Sequence, residues 1–454
     1  MIRFTNSLGG RKEPFEPLDP PRVSIYVCGP TVYDVPHVGH ARAAIVFDVL
    51  RRYLTWRGYD VCFVRNITDI DDKIIARAQE LGVDTAILAD RYTRAYEDAM
   101  HALNVLPPDI SPRATGHILE MQELISRLIA GGYAYAGEGS VYFAVEKFPE
   151  YGKLSGRPLD ELANRERVDP APGKQHPIDF GLWKAAKPGE PAWPSPWGPG
   201  RPGWFTECAV MSVRYLGQPF DIHGGGADLI FPHHENEIAQ AEVDAGRQFA
   251  RVWLHNGFLN IQGEKMSKSL KNFIIVSDVL GEYSAAVVRL FFCSAHYRSQ
   301  MDYGPDALEE PKAVWERLRS FVRIAPQTDA EPDAVTDRLA AFGEAMDDDL
   351  NTPLAIASLH EIVTDGHRAV ERGDDAEAGL ARAALLEGLA VLGCDPGTDD
   401  RSRLVGPLVE LLLEQREAAR RDKDFARADE IRARLERIGV RVEDSADGPR
   451  WFLE

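Results

Sequence analysis

The chain has 454 residues, room for about three domains of ordinary size, and its 44% hydrophobic content is that of a globular protein with a sizeable core. A net charge of −19 excludes a protein that coats nucleic acid by bulk attraction, but not one that docks a single RNA through a local basic face. No run approaches the ~20 apolar residues of a bilayer span. Met1 to Asp19 lacks the apolar stretch of a signal peptide, and the five scattered cysteines form no C-x-x-C pair, so a cytoplasmic protein without a disulfide framework or membrane contact is expected.

In chain order, Val23–Cys28 is a β-branched and aromatic run closed by Gly29-Pro30, which predicts a buried strand and its turn. From Val38 to Gly58 the apolar residues Ala44, Phe47, Val49, Leu50, Tyr53 and Leu54 recur at helical spacing. Asp60–Arg65 reads as the next strand. Strand, turn, helix, strand is a βαβ unit, and an α/β fold built on a parallel sheet follows. Helices are predicted over Asp71–Gly82, Thr85–Asn104 and Thr115–Gly131. Ala134–Gly203 carries one strand-like run, Ser140–Val145, and ends in the Pro/Gly-dense stretch Trp193–Gly203. That stretch cannot continue a helix or a central strand, and predicts a structured loop closing an insertion. Sheet-like and helical patterns resume at Phe220–His223, Pro232–Gly246, Arg251–Leu259 and Ala285–Cys293. Beyond Asp306 the predicted elements are helical: Glu309–Ile324, Thr336–Met346, Pro353–Arg372 and Glu377–Leu392. Glu410–Glu436 is a charged helix or helix pair, and Val440–Glu443 with Arg450–Leu453 suggests a terminal hairpin.

Two short segments point to nucleotide chemistry. His37-Val-Gly-His40 sits where strand and turn enter a helix, whose free backbone N–H groups and dipole attract phosphate. Gly39 leaves room for close approach of a nucleotide, and two imidazoles can donate to a phosphate whose charge grows during displacement. Alone, the pattern also suits a helix cap with two solvated histidines. Lys265-Met-Ser-Lys-Ser269 is a glycine-preceded loop in which Lys265 and Lys268 reach anions and Ser267 and Ser269 add hydroxyl donors. A mobile loop suits a transition state that is clamped and then released. The two together, in this order, point to an ATP site, with Gly39, His40, Ser267, Lys268 and Ser269 as its binding residues. No G-x-x-x-x-G-K-[ST] run competes with them.

A metal site is a third candidate. His233 and Glu237 are spaced i, i+4 at the start of a predicted helix, Cys28 ends the first strand, and Cys208 opens another helical pattern. Two thiolates, an imidazole and a carboxylate suit zinc. Spacing alone favours the plainer alternative of two core cysteines and a polar helix start.

The runs Pro30-Thr-Val-Tyr-Asp-Val-Pro-His-Val-Gly-His40 and Lys265-Met-Ser-Lys-Ser269 resemble the two signatures of class I aminoacyl-tRNA synthetases. Asn66–Lys73, Phe220–Glu237 and Met346–Pro353 narrow the resemblance to the cysteinyl-tRNA synthetase family, and it runs the length of the chain. It implies a Rossmann-type catalytic domain over residues 1–305 with a connective insertion at about 110–203. A helical bundle domain (306–400) and a small anticodon-binding domain (401–454) would follow. It implies one Zn²⁺ per chain held by Cys28, Cys208, His233 and Glu237, Mg²⁺ with ATP, and catalytic roles for His37, His40, Lys265 and Lys268. L-cysteine would lie against Thr68, Trp204 and Asp228. The partners implied are ATP, L-cysteine and tRNA(Cys), with the protein a monomer. Two residues depart from the family pattern: Phe205 stands where a histidine is usual beside Trp204, and Lys271 where a glycine usually follows the second signature.

For RNA contact the C-terminal segment offers Arg421, Lys423 and Arg427, with Trp451 available for stacking. Interleaved Glu417, Asp422, Asp424, Asp429 and Glu430 suit a salt-bridged solvent helix equally well, and only the resemblance tips the reading towards tRNA. Two rivals share the core: a mycothiol-type ligase joining cysteine to an amino sugar, and a catalytically inactive tRNA-binding paralogue. The first has no use for an anticodon-reading tail, and the second would be expected to have lost signature or ligand residues.

Overall fold

The structure, a computed structural model, describes residues 1–158, 173–261, 264–265, 273–328, 330–396, 399–422, 424–437, 440–445 and 448–453. These form two compact units, Met1–Cys394 and Asp395–Glu454. Among the described residues no helix is long and apolar enough to cross a membrane.

The first unit opens with an antiparallel hairpin, β1 (Arg3–Asn6) and β2 (Arg11–Pro14). The sequence reading missed it because β2 is a fully exposed charged strand, whereas β1 sends Phe4, Thr5 and Asn6 inward. The predicted βαβ unit is present as β3 (Arg22–Val27), α1 (Val38–Trp56) and β4 (Asp60–Arg65), with β3 and β4 parallel. Helix α1 buries twelve of its nineteen residues, including Ile45, Phe47, Leu50 and Leu54, on two sides rather than one stripe. It is therefore a core helix. Helices α2 (Asp72–Leu81) and α3 (Thr85–Ala102) follow, each started by an aspartate cap.

The insertion holds α4 (Ile118–Ala130) and an antiparallel sheet of β5 (Ala134–Gly137), β6 (Ser140–Phe143), β7 (Phe180–Ala185) and β8 (Gly200–Pro202), in that order. The Pro/Gly-dense stretch predicted as a loop thus supplies a strand. It does so at the sheet edge, where Pro202 interrupts no further ladder. Gly200 permits the pairing, since a Cβ there would lie 2.4 Å from Trp183 Nε1 and Lys184 O. Phe143 and Phe180 stack across the sheet with centroids 4.9 Å apart.

Helix α5 (Trp204–Leu216) leads to β9 (Phe220–Gly226), α6 (Glu235–Ala245) and β10 (Ala250–Asn256). The helix predicted from Pro232 begins at Glu235; Ile230–His234 is a separate wide turn, broken by an extended Phe231. Strands β10, β9, β3 and β4 form one parallel sheet in that order, with Tyr26 level with His223 and with Val64. Strands β11 (Leu259–Ile261), β12 (Glu264–Lys265) and β13 (Met301–Tyr303) make a small mixed sheet, with helices α7 (Val276–Glu282) and α8 (Ala285–Cys293) between β12 and β13. The unit closes with helices α9 (Glu309–Ile324), α10 (Pro332–Arg338), α11 (Ala340–Asp347), α12 (Thr352–Arg372) and α13 (Asp375–Val391). The single helix expected over Thr336–Met346 is two, parted at Leu339.

In the second unit, α14 (Asp399–Arg421) and α15 (Phe425–Arg437) are the anticipated helix pair, and β14 (Val440–Ser445) and β15 (Gly448–Leu453) the anticipated hairpin. Val409, Leu413, Ile431, Leu435, Val440 and Val442 make its core.

Candidate active site and metal centre

In an open parallel sheet, ligands bind beyond the carboxyl ends of the strands. Here those ends border a cavity of 410 Å³, lined by Cys28 after β3, Arg65 of β4, Gly226 and Asp228 at the end of β9, and Asn256 of β10. The cavity wall also includes His37, Gly39 and His40 from the start of α1, and Lys73, Tyr96 and Trp204.

His37 caps α1. Its Nδ1 accepts from Gly39 N at 3.2 Å, and His40 Nδ1 accepts in return from His37 N at 3.3 Å. The rings stack with centroids 3.8 Å apart, and Phe273 lies 5.0 Å from His37. Burial, then repulsion from His37 and Lys73, holds His40 well below the usual imidazole range. A neutral His40 accepting at Nδ1 carries its proton on Nε2, which makes Nε2 a donor. The capping role and the phosphate role therefore coexist in one pair of side chains. Lys265 of β12 pairs through its backbone with Asn260 of β11, while Ser267, Lys268, Ser269 and Lys271 lie outside the described residues.

Cys28 also joins a buried cluster: Cys28 Sγ, Cys208 Sγ, a His233 ring nitrogen and a Glu237 carboxylate oxygen all lie within 4.8 Å of one another, and of the four only Cys28 lines the cavity. Each comes from a different element: the turn after β3, the first turns of α5, the wide turn before α6, and α6 itself. Cys28 Sγ is 3.4 Å from Glu237 Oε1, and His233 Nε2 is 3.0 Å from the same oxygen. His233 is 1% exposed, and neither of its ring nitrogens makes a well-aligned hydrogen bond, the close Glu237 oxygen included. Against the opposing pull of burial, Glu237 and Cys208 push His233 up to about 10. Likewise against burial, His223 and His233 hold Glu237 down to about 2, and Cys28 and His233 bring Cys208 to about 6. A buried cluster of this charge density matches the donor set of a soft divalent cation.

Three histidines that the sequence reading passed over surround the cluster. His223 Nε2 lies 2.8 Å from Glu237 Oε2, His234 Nε2 lies 3.3 Å from Cys28 Sγ, and His234 Nδ1 lies 2.8 Å from His255 Nε2. Cys28, His223, His234 and Glu237 form a second group of ligand-type atoms sharing two members with the first. The signal was present in the repeated histidines of Phe220–Glu237, but which of them faces the cluster depends on the turn at Phe231.

Trp204 lies over His233 with ring centroids 4.1 Å apart, and both Trp204 and Asp228 line the cavity. Thr68 does not; fully buried behind it, Thr68 donates to Glu207 Oε2 at 3.1 Å and accepts from Asn66 Nδ2. Phe205 packs edge-on against Phe180 and 5.5 Å from His233, an apolar neighbour to the cluster. In the C-terminal unit Arg421 and Arg427 are exposed, Trp451 is half-buried against the small core, and Lys423 lies outside the described residues. Much of that helix pair is internally bridged, as in Arg432–Glu436 (3.0 Å) and Arg420–Glu417 (3.4 Å).

Sheet order, cavity position and the paired histidines define a class I aminoacyl-tRNA synthetase catalytic domain, and the model described as "tRNA synthetases class I (C) catalytic domain" matches residues 14–313. A DALR domain matches 341–394 and a "Cysteinyl-tRNA ligase anticodon binding domain" matches 405–451. The chain belongs to the cysteinyl-tRNA synthetase family. It is 53% identical to the cysteine--tRNA ligase of Halorhodospira halophila over 99% of both chains, and 50% identical to that of Alkalilimnicola ehrlichii over 100% of both. Among solved structures, methionyl-tRNA synthetase of Mycobacterium tuberculosis with methionyl-adenylate shares the fold at a TM-score of 0.59 and 19% identity, covering 82% of this chain and 89% of that one. The LeuRS–tRNA–LeuAMS complex of Agrobacterium radiobacter K84 shares it at 0.61 and 13%, covering 86% and 88%.

Proposed function

We propose that the chain activates L-cysteine with ATP and transfers it to tRNA(Cys), with zinc reading the substrate thiol. The observation carrying this is the buried Cys28–Cys208–His233–Glu237 cluster, which reaches the cavity of the His37–His40 cap through Cys28 and through Trp204 stacked on His233. Of the two overlapping donor groups, the set with His233 is favoured, because it joins both thiols and His233 makes no well-aligned hydrogen bond, whereas His234 Nδ1 is engaged by His255 outside the cluster. When bound there, zinc supplies a soft cation that takes a thiol as thiolate and discriminates strongly against a hydroxyl. An apolar pocket would separate such near-isosteres by only ~1–3 kcal/mol.

The remaining chemistry belongs to the chain's own residues. Trp204 walls the amino-acid end, and Asp228 suits the substrate ammonium group. Thr68 acts from behind the wall, positioning Glu207. The cysteine carboxylate attacks the α-phosphorus of ATP, forming cysteinyl-adenylate and releasing pyrophosphate, with Mg²⁺ accompanying the nucleotide. His37 and His40 donate to the phosphate as its charge grows, and Lys265 and Lys268, with Ser267 and Ser269, clamp it from the second signature. The terminal ribose hydroxyl of the tRNA then attacks the activated carbonyl and AMP leaves.

We read residues 1–305 as catalytic with the insertion at about 110–203, 306–400 as a helical bundle and 401–454 as the anticodon reader, in a cytoplasmic monomer. The three family matches support this division, and the third argues against an amino-sugar ligase, which needs no anticodon domain. Arg421, Lys423, Arg427 and Trp451 are the proposed tRNA contacts.

The test is cysteine-dependent ATP–pyrophosphate exchange and tRNA(Cys) charging on protein of measured zinc content. Cys208→Ser should lose zinc and raise the KM for cysteine at least ~100-fold. Full-rate exchange by a zinc-free Cys208→Ser protein would sink the thiol-reading role.

A further inference from the structure

Arg65, the last residue of β4, is 6% exposed and is one of the residues lining the cavity. A guanidinium presents five N–H donors and stays charged. In this setting it is paired with a carboxylate as a rule, because an unpaired buried charge is costly. The other cavity-lining arginine follows a different rule. Arg42 spends its donors on backbone carbonyls, reaching Phe258 O at 2.5 Å and Tyr297 O at 3.4 Å, with a further bond to Ser299 O. Arg65 does neither. Among the described residues its side chain makes no ion pair and no hydrogen bond, and its one recorded partner is the face of Tyr96, 5.4 Å from Cζ to the ring centroid. A ring face offsets part of the charge but cannot accept from five donors.

The surroundings say what would complete it. The Tyr96 ring stands edge-on to His40 at 6.3 Å, which places the arginine on the His37–His40 side of the cavity, along with Lys73. A planar fork of donors that meets no acceptor among the described residues, beside a helix N-terminus, suits bidentate binding of a phosphate. We propose that Arg65 is a phosphate-binding residue of this cavity, completed only when a substrate phosphate arrives. This deepens the synthetase reading and rests on it for the identity of the substrate. The phosphate belongs either to the ATP triphosphate or to the 3′ end of the tRNA.

The experiment compares the wild-type chain with Arg65→Gln and Arg65→Lys, each checked for zinc content and thermal melting. Three readouts are taken: cysteine-dependent ATP–pyrophosphate exchange, single-turnover transfer from preformed cysteinyl-adenylate to tRNA(Cys), and calorimetric titration with inorganic pyrophosphate. Arg65→Gln should weaken pyrophosphate binding about 30-fold or more, with Arg65→Lys recovering part of it. A matching loss in exchange with transfer intact assigns the ATP phosphates. A loss in transfer with exchange intact assigns the tRNA phosphate. Unchanged pyrophosphate binding, exchange and transfer in folded Arg65→Gln protein overturn the proposal. If Arg65→Gln does not fold, Arg65→Met carries the same comparison, and unchanged pyrophosphate binding, exchange and transfer in that folded variant have the same negative force. A wild-type chain without cysteine-dependent exchange would count against the synthetase reading, while the pyrophosphate titration would still decide the role of Arg65.

Discussion

His40 serves the fold and the chemistry through the same bond. Accepting from the His37 backbone closes the first turn of α1, and it also leaves the neutral ring with a donor at Nε2. Its titration has a predictable sign. Burial and the neighbouring His37 and Lys73 lower the folded value below the unfolded one. The native state therefore refuses a proton that the unfolded chain accepts. The associated stability is present above the unfolded value near 6.5 and is lost as pH falls below it, by at most about 1.4 kcal/mol per pH unit. Urea unfolding at pH 7.5 and 5.5 should show the wild-type chain losing more stability than His40→Gln; parallel losses would contradict the neutral-histidine reading. The chemistry of such single residues was legible early. The paired histidines and the lysine–serine loop stand out by composition and order, as does a Cys/His/Glu donor inventory. What the donor inventory lacked was proximity, since Cys28 and Cys208 are far apart in sequence and two core cysteines explained them as simply.

At the scale of elements, the turn at Asp349-Leu350 ties distant parts of the first unit together. Both residues hold positive φ (66° and 52°), which a non-glycine residue adopts only when its surroundings insist. The surroundings are the N-terminal hairpin and the loop before β13. The Asp349 carboxylate accepts from Thr5 N at 2.8 Å, Thr5 Oγ1 at 2.5 Å and Tyr297 OH at 2.9 Å. That loop in turn supports the cavity wall, since Gly257 N donates to Tyr297 O at 2.8 Å. Asp349→Ala strands three buried donors and should cost about 2–4 kcal/mol in urea unfolding. Asp348→Ala, which breaks only the more exposed pairs to Arg3 and Lys12, should cost less than about 1 kcal/mol. Equal costs would show that the turn is not a strut. Elements of this kind are poorly legible in sequence. The central βαβ unit announced itself through periodicity, because its helix and strands bury apolar side chains at regular spacing. The charged β2 and the glycine-proline edge strand β8 carry no such period; they are strands because a partner strand is there to pair with.

For the whole molecule, the boundary at Cys394 separates a unit containing the entire cavity from a unit with its own small core. A fragment of residues 1–394 should unfold cooperatively and retain cysteine-dependent pyrophosphate exchange, while tRNA(Cys) charging falls by at least ~10-fold for want of the second unit. Loss of exchange in a folded fragment would mean that the cavity depends on residues beyond 394. The class of fold, its central elements, the nucleotide signatures and the family were legible in the chain alone, because each of these is written in local pattern or in contiguous runs. What it left open came from packing: that four ligand-type atoms from four elements converge, that Thr68 lies outside the cavity lining, and that the Arg65 guanidinium meets no acceptor among the described residues. Convergence and orientation are properties of packing between distant segments, and no local spacing encodes them.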